Sequence, residues 1–302
     1  MNYRKIFLLS INLILSFIAG GELLAKTFVV SVEFADIRRH KSDTAELLTQ
    51  VLYGDSVRIV REDTGWCFVE IGSQKDFREG RLVPYQGWIK KSSIKELPVG
   101  YEGDNWFKKS VILADSKSST GIAIRSKPVH SSAVLIVVCD GVMLPGSKVR
   151  DNWFRIVLPT GITGYVDKEK VIVPGVISND DLGKKFVLHA MKLYGKKYLW
   201  GGLSVAGVDC SGLVYLASRS TGFLIPRDTF PQFVTLATVD PKFLKKGDVV
   251  YFDSAGQKAG HVALYMGDDN WLHASRDGVT HFTMKQSDFI QHSVCGIRRI
   301  FQ

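Results

Sequence analysis

The chain has 302 residues, 45% of them hydrophobic and 23% charged, and 39 Lys and Arg against 30 Asp and Glu give a formal charge of +9. That balance is ordinary for globular domains and too apolar for a disordered chain, and the length exceeds one typical domain. A basic chain admits acidic partners, but the sequence carries no helix-turn-helix, zinc-finger or RNA-binding pattern, so nucleic acid is not expected. Arg4 and Lys5 precede an apolar run from Ile6 to Ile18, too short for a membrane span, and Ala19-Gly20-Gly21 and Leu23-Leu24-Ala25 then supply small residues suited to cleavage. Residues 1–25 read as a signal peptide, which predicts export to the periplasm, cell envelope or exterior with no membrane span left after cleavage. No cysteine lies near its end, so a lipid anchor is not expected.

Residues 27–98 form the first module. A strand opens at 27–32, a polar loop holds Arg38-Arg39-His40-Lys41, a turn at 52–55 leads into a strand ending at Val60, and further strands cover 64–71 and 85–89. Residues 101–174 repeat the plan. Gly65-Trp66-Cys67-Phe68-Val69 aligns with Asn152-Trp153-Phe154-Arg155-Ile156, and Gly87-Trp88-Ile89 aligns with Gly164-Tyr165-Val166. Short strands at this spacing suggest small barrels. Linkers lie at 98–103 and 173–176. Cys67 and Cys139 sit in separate apolar runs and read as buried free thiols. No CxxC or paired-histidine spacing occurs, so neither a structural metal nor a cofactor is expected.

The third module spans 178–302. Asn179 or Asp180 is expected to cap a helix with Leu182, Phe186, Val187, Ala190 and Leu193 on one face, closed by Gly195. The turn Tyr198-Leu199-Trp200-Gly201-Gly202 then leads to Asp209-Cys210-Ser211-Gly212, after which Leu213, Val214, Leu216 and Ala217 recur at helical spacing up to Gly222. Cys210 therefore falls in a first helical turn, where unpaired N–H groups favour negative charge, and its thiol is expected below the free value of about 8.5. His261 heads a strand running to Gly267, and His273 lies in the next strand, 271–275. A hairpin whose paired numbers sum to about 536 sets His273 opposite Ala263, on one face with His261 and roughly 7–8 Å away at the backbone. A thiol, a base and an orienting group are the parts of covalent catalysis: Cys210 as nucleophile, His261 as base, His273 as the group that fixes its tautomer. The backbone N–H of Cys210, with Tyr198, would hold the oxyanion.

These segments, with Ile225-Pro226-Arg227-Asp228-Thr229, Lys246-Gly247-Asp248-Val249-Val250-Tyr251-Phe252 and Leu272-His273-Ala274, resemble the NlpC/P60 cysteine peptidases in content and order over the last two fifths of the chain. The glycine-aromatic pairs of the first two modules resemble bacterial SH3-like domains. The resemblance implies an α+β fold, a papain-like catalytic domain preceded by two small SH3-like β-barrels, acting as a monomer on peptidoglycan stem peptides. It is nearest a subgroup that cuts the γ-D-glutamyl–diamino acid bond of peptides with a free N-terminal L-Ala, such as L-Ala-γ-D-Glu-diaminopimelate. In that subgroup Asp209, Ser211, Trp200 and Arg227-Asp228-Thr229 have counterparts (Thr229 standing where the subgroup has serine), and Tyr85 matches a tyrosine from the first SH3-like domain that closes the pocket. The resemblance thus implies substrate contacts from Tyr85, Tyr198, Trp200, Asp209, Ser211, Arg227, Asp228 and Thr229, with a carboxylate and the tyrosine hydroxyl on the alanine ammonium. Asp209 reads equally as a helix cap, and Tyr85 as barrel core. Rival readings are the same chemistry on intact wall, with the β-modules as anchors, a non-catalytic wall-binding protein, or an amidase or acyltransferase.

Overall fold

The computed structural model describes residues 27–101, 105–115, 121–149, 152–173, 181–254, 256–289 and 292–301, so the leader expected at 1–25 and the candidate caps Asn179 and Asp180 lie outside it. The first β-module is an antiparallel sheet of β1 (Thr27–Val30), β2 (Phe34–Arg38), β3 (Leu47–Leu52), β4 (Ser56–Asp63), β5 (Trp66–Arg78), β6 (Arg81–Lys90) and β7 (Ile94–Glu96), in the order β3-β2-β6-β5-β4-β1-β7. After a helical turn α1 (Asn105–Lys108), the second has β8 (Ser110–Leu113), β9 (Ile122–Arg125), β10 (Val134–Val138), β11 (Val142–Lys148), β12 (Trp153–Val157), β13 (Thr163–Asp167) and β14 (Val171–Ile172), in the order β10-β9-β13-β12-β11-β8-β14. Adding seven to each strand number of the first sheet reproduces the second. The repeat read from two glycine-aromatic pairs therefore extends to the whole topology. Its glycines have a steric cause: a Cβ on Gly87 would lie 2.4 Å from Ile37 Cγ2, and one on Gly164 would lie 2.4 Å from Ile124 Cγ2. Both are points where a neighbouring strand approaches too closely for a side chain.

Two features of the first module differ from the expectation. The polar stretch at 38–41 is only the tip of a β2–β3 hairpin, with Ile37 opposite Thr49 and Phe34 opposite Leu52. The β5–β6 pair also runs past Ile71 and Tyr85, and after a register shift it continues from Lys75↔Pro84 to Arg78↔Arg81 as an arm. The arm's alternation is masked because none of its paired residues is buried, each being half-buried or exposed.

The C-terminal module is a sheet of β17 (Ala237–Val239), β18 (Val249–Ser254), β19 (Gln257–Gly267), β20 (Asn270–Ser275), β21 (Gly278–Thr283) and β22 (Val294–Arg299), in the order β17-β22-β18-β19-β20-β21. A two-stranded ribbon, β15 (Leu203–Ser204) and β16 (Gly207–Val208), and the helices α2 (Leu182–Met191), α3 (Cys210–Arg219) and α4 (Thr229–Thr235) complete it. The cap of α2 is Asp181, whose carboxylate accepts from the Lys184 N–H at 3.0 Å. Phe186, Val187 and Ala190 are buried as the periodicity requires, and Gly195 follows at φ +76°. Every residue of α3 is buried, so it has no solvent face. One apolar cluster runs from Val29 and Leu52 through Trp106 and Leu144 to Leu213 and Leu264, joining all three modules.

Polar contacts fix the same junction. The fully buried Arg219, in the last turn of α3, makes a bidentate pair with Asp55 of the first module (2.6 and 3.2 Å) and donates Nε–H to the Gly141 carbonyl of the second. Tyr215 Oη donates to Ser73 O (2.8 Å), and Trp106 Nε1 donates to Gly54 O (2.7 Å). All four cysteines are free thiols; Cys67 is buried as expected, whereas Cys139 is only half-buried. Among the described residues no helix is long and apolar enough to cross a membrane.

Candidate active site

Asp209 starts α3. Its backbone is extended (φ −90°, ψ −179°) and its carboxylate accepts the Gly212 N–H at 2.6 Å, the helix-capping geometry. The preceding turn presses against β3: a Cβ on Gly201 (φ +72°) would meet Leu47 O at 2.6 Å. That contact turns Trp200 outward, 61% exposed beside Glu46, whose carboxyl is held low first by its hydrogen bond to Arg39 and also by one to Trp200.

The Asp209 carboxylate is fully occupied. Besides Gly212 it accepts from Gly201 N (2.9 Å), Ser211 Oγ (3.2 Å), and Arg227 Nη1 and Nη2 (3.0 and 2.9 Å). Arg227 is itself fully buried, donating also to Ser211 Oγ, Gly202 O and Thr49 Oγ1. Asp209, Ser211 and Arg227 thus form a buried frame beneath the turn, and the expectation that Asp209 itself meets a ligand gives way to its role as helix cap. Sequence reading missed the members of this frame from β3. Thr49 links Arg227 to Gln74 (2.8 Å), and Gln50 Oε1 accepts from Leu203 N (2.9 Å). It also missed Gln232 of α4, which donates to Pro226 O and Ser211 O and accepts from Tyr251 Oη. A strand assignment at 47–52, where apolar residues sit on both faces, was the available signal.

The open carboxylate is Asp228. Tyr85 of β6 donates its hydroxyl to Asp228 Oδ2 at 3.1 Å, across the boundary between first and third modules. The Asp228 side chain is 41% exposed, so protein covers the larger part of it. This partial desolvation pushes its pKa up to about 6, against the opposing pull of Arg227 and of the Tyr85 hydrogen bond and with help from Asp209. Burial and the Asp228 charge also raise the Tyr85 hydroxyl. Tyr85 is buried, and its hydroxyl reaches the partly exposed Asp228 carboxylate. Thr229 opens α4, half-buried.

The histidines meet as the strand arithmetic required. Leu264 pairs with Leu272 and Tyr265 with Trp271, and His261 Nε2 lies 3.0 Å from His273 Nδ1, the rings inclined at 73°. Helix α3 packs on β19, and the Cys210 thiol lies against the backbone N–H of Val262, next to His261. One expectation reverses here. Cys210 is only 7% exposed, and burial, then the Asp209 charge, push its thiol up to about 12; the N–H groups of Val262 and Ser211 oppose this without prevailing. Burial, then His273, lowers His261 to about 4, and burial lowers His273 against the pull of Asp277. Burial thus favours the neutral thiol at Cys210 and the neutral imidazole at His261. Tyr198, half-buried, is raised to about 12 by burial and by the neighbouring Cys210 and Asp209. Among the described residues no three His, Cys, Asp or Glu side chains gather as metal ligands.

Residues 195–299 match the model of the NlpC/P60 family. A gamma-D-glutamyl-L-lysine dipeptidyl-peptidase of Bacillus cereus is 30% identical over 242 residues, which cover 76% of this chain and 68% of that protein. The chain belongs to the NlpC/P60 family. As a family member it is a cysteine peptidase. A Bacillus subtilis protein with the same name as the Bacillus cereus one is 28% identical over 270 residues (84% of this chain, 81% of that protein), so this family likeness takes in β-module sequence as well. The fold agrees with the crystal structure of an NlpC/P60 family protein from Bacillus cereus, with a TM-score of 0.72 at 22% identity over 91% of this chain and 100% of that one.

Proposed function

We propose that the protein cleaves the γ-D-glutamyl–diamino acid bond of peptidoglycan stem peptides that carry a free N-terminal L-Ala. In this reading the β-modules are SH3-like, the catalytic module is papain-like, and the chain acts outside the cytoplasm after losing residues 1–25. The observation that carries it is the Tyr85–Asp228 pair, a hydroxyl and a partly exposed carboxylate from two modules in one hydrogen bond. The names of the two Bacillus relatives, which specify a γ-D-glutamyl linkage to a diamino acid, support it.

With the shared proton of the His261–His273 contact on His261 Nε2, donated to His273 Nδ1, His261 Nδ1 is left free to accept the Cys210 proton. Sulfur attacks the γ-carbonyl as that proton moves. The oxyanion takes hydrogen bonds from the Cys210 N–H at the helix start and from Tyr198 Oη. The imidazolium then protonates the leaving amine, and water, deprotonated by His261, hydrolyses the thioester. Asp228 pairs with the alanine ammonium, its hydrogen bond from Tyr85 holding it in place. In glycan-linked stem peptides that nitrogen is an amide, which brings no charge to match the carboxylate.

Free L-Ala-γ-D-Glu-diaminopimelate, the same peptide N-acetylated, and intact sacculi discriminate the readings by mass spectrometry of products. We expect L-Ala-D-Glu from the free peptide and at least about a hundredfold lower kcat/KM for the acetylated one, since a polar pocket left unmatched rejects strongly. Equal cleavage of sacculi would sink the free-amine pocket and favour wall remodelling. A pH profile gives a second prediction. Asp228, at about 6, is neutral below that pH and cannot pair with the ammonium, while His261, at about 4, remains a competent base. The acid limb of kcat/KM is therefore expected near pH 6, moving toward 4 at a lower plateau in Asp228→Asn. The alkaline limb follows loss of the peptide ammonium near about 8.

A further inference from the structure

A cavity of about 260 Å³ lies where the three modules meet. Glu33 of the first module, Val137 to Asp140 of the second, and His189, Lys196, Val205 and Ser220 of the third are among its walls. It opens at the far end of α3 from Cys210, so it is separate from the Tyr85–Asp228 pocket. A smaller chamber of about 90 Å³ shares its wall from Val137 to Cys139 and is also bordered by Tyr53.

Two hydroxyl-bearing residues also border this junction: Ser220 lines the larger chamber and Tyr53 the smaller one, and both are buried. Two charges border the same space. Among the described residues neither Glu33, which is exposed, nor Lys196, which is half-buried, has an ion-pair partner, whereas the nearby Lys192 and His189 are both held by Asp140. The wall also carries apolar side chains, from Val138, Leu193, Leu216 and Ala217. A chamber lined by apolar side chains together with a carboxylate and an ammonium complements a small molecule that carries an ammonium, a carboxylate and an apolar body.

We propose that this cavity binds a small zwitterion with an apolar body, of amino-acid or dipeptide size, its ammonium on Glu33 and its carboxylate on Lys196. Because the ligand touches all three modules, its binding stabilises their junction by mass action. This site does not depend on which peptide the catalytic pocket accepts.

The test is calorimetric titration of the full chain, backed by thermal melts, with glycyl-L-leucine and L-leucine as probes. N-acetyl-L-leucine lacks the ammonium, and L-leucinamide lacks the carboxylate. Saturable binding of one or both zwitterions is expected, about tenfold or more weaker for each blocked analogue, one such loss corresponding to one missing charge contact. Glu33→Gln should remove the preference over the acetylated probe, and Lys196→Met the preference over the amide. Val205→Trp, at a partly exposed wall position that tolerates bulk, should abolish binding, while Tyr85→Phe should leave it unchanged. No binding of either zwitterion, equal binding of the blocked analogues, or binding that survives Val205→Trp but is lost in Tyr85→Phe would each overturn the proposal, the last by moving the ligand to the catalytic pocket.

Discussion

Replacing Cys210 with alanine is expected to lower peptide cleavage by about 10⁴-fold or more, with the melting temperature and the pocket left nearly intact. The substitution removes one sulfur from a buried position whose thiol serves no structural bond within the protein beyond backbone N–H contacts, so little else changes. The loss is large because nothing nearby can replace the nucleophile: with the thiol at about 12 and His261 at about 4, the site at rest holds its proton on sulfur and no ion pair exists before the substrate arrives. Proton transfer and attack must then occur together, and the second measurement follows from that. Alkylation of the wild-type thiol by iodoacetamide at pH 7 should be no faster than that of a free cysteine and should climb with pH, whereas a preformed thiolate would react quickly and with little pH dependence. Rapid, pH-independent alkylation would show that the helix terminus outweighs burial after all.

Much of this site was legible because the chemistry and the secondary-structure period coincide. The spacing between His261 and His273 fixes a hairpin register, and one residue of slip would send one ring to the opposite face. The repeat was legible for a similar reason: Gly87 and Gly164 are set by the approach of Ile37 and Ile124, so two local signatures stood for seven strands each. What escaped was long-range. Thr49, Gln50 and Gln74 lie more than a hundred residues from Arg227 and Leu203, and no local pattern announces that β3 supports the catalytic turn. Asp209 and Asp228 could not be told apart by type. Only the count of donors around each, five on Asp209 against the Tyr85 hydroxyl and a distant guanidinium on Asp228, separates the cap from the open carboxylate. The sign of the Cys210 shift failed because position on a helix is readable from sequence while the depth of burial depends on what covers it.

Asp55→Ala is expected to destabilise the protein by about 3–5 kcal/mol, because it strands the Arg219 guanidinium in a fully buried site. That corresponds to a fall in melting temperature of roughly 10 °C in a thermal scan. The double variant Asp55→Ala, Arg219→Met should recover most of the loss, since removing both charges leaves an apolar side chain where one unpaired ion would otherwise stand. The same comparison bears on function. Arg219 ends the helix that Cys210 begins, and Asp55 lies in the module that supplies Tyr85, so the pair fixes the distance between nucleophile and pocket wall. If the first module is a fixed wall of the pocket, the double variant should regain stability yet keep a raised KM for the free-amine peptide with kcat less affected. Full recovery of both would make the pair purely a matter of stability. An apolar cluster continuous across the modules further requires that wild type and variants unfold in one cooperative transition, with the modules unable to melt independently.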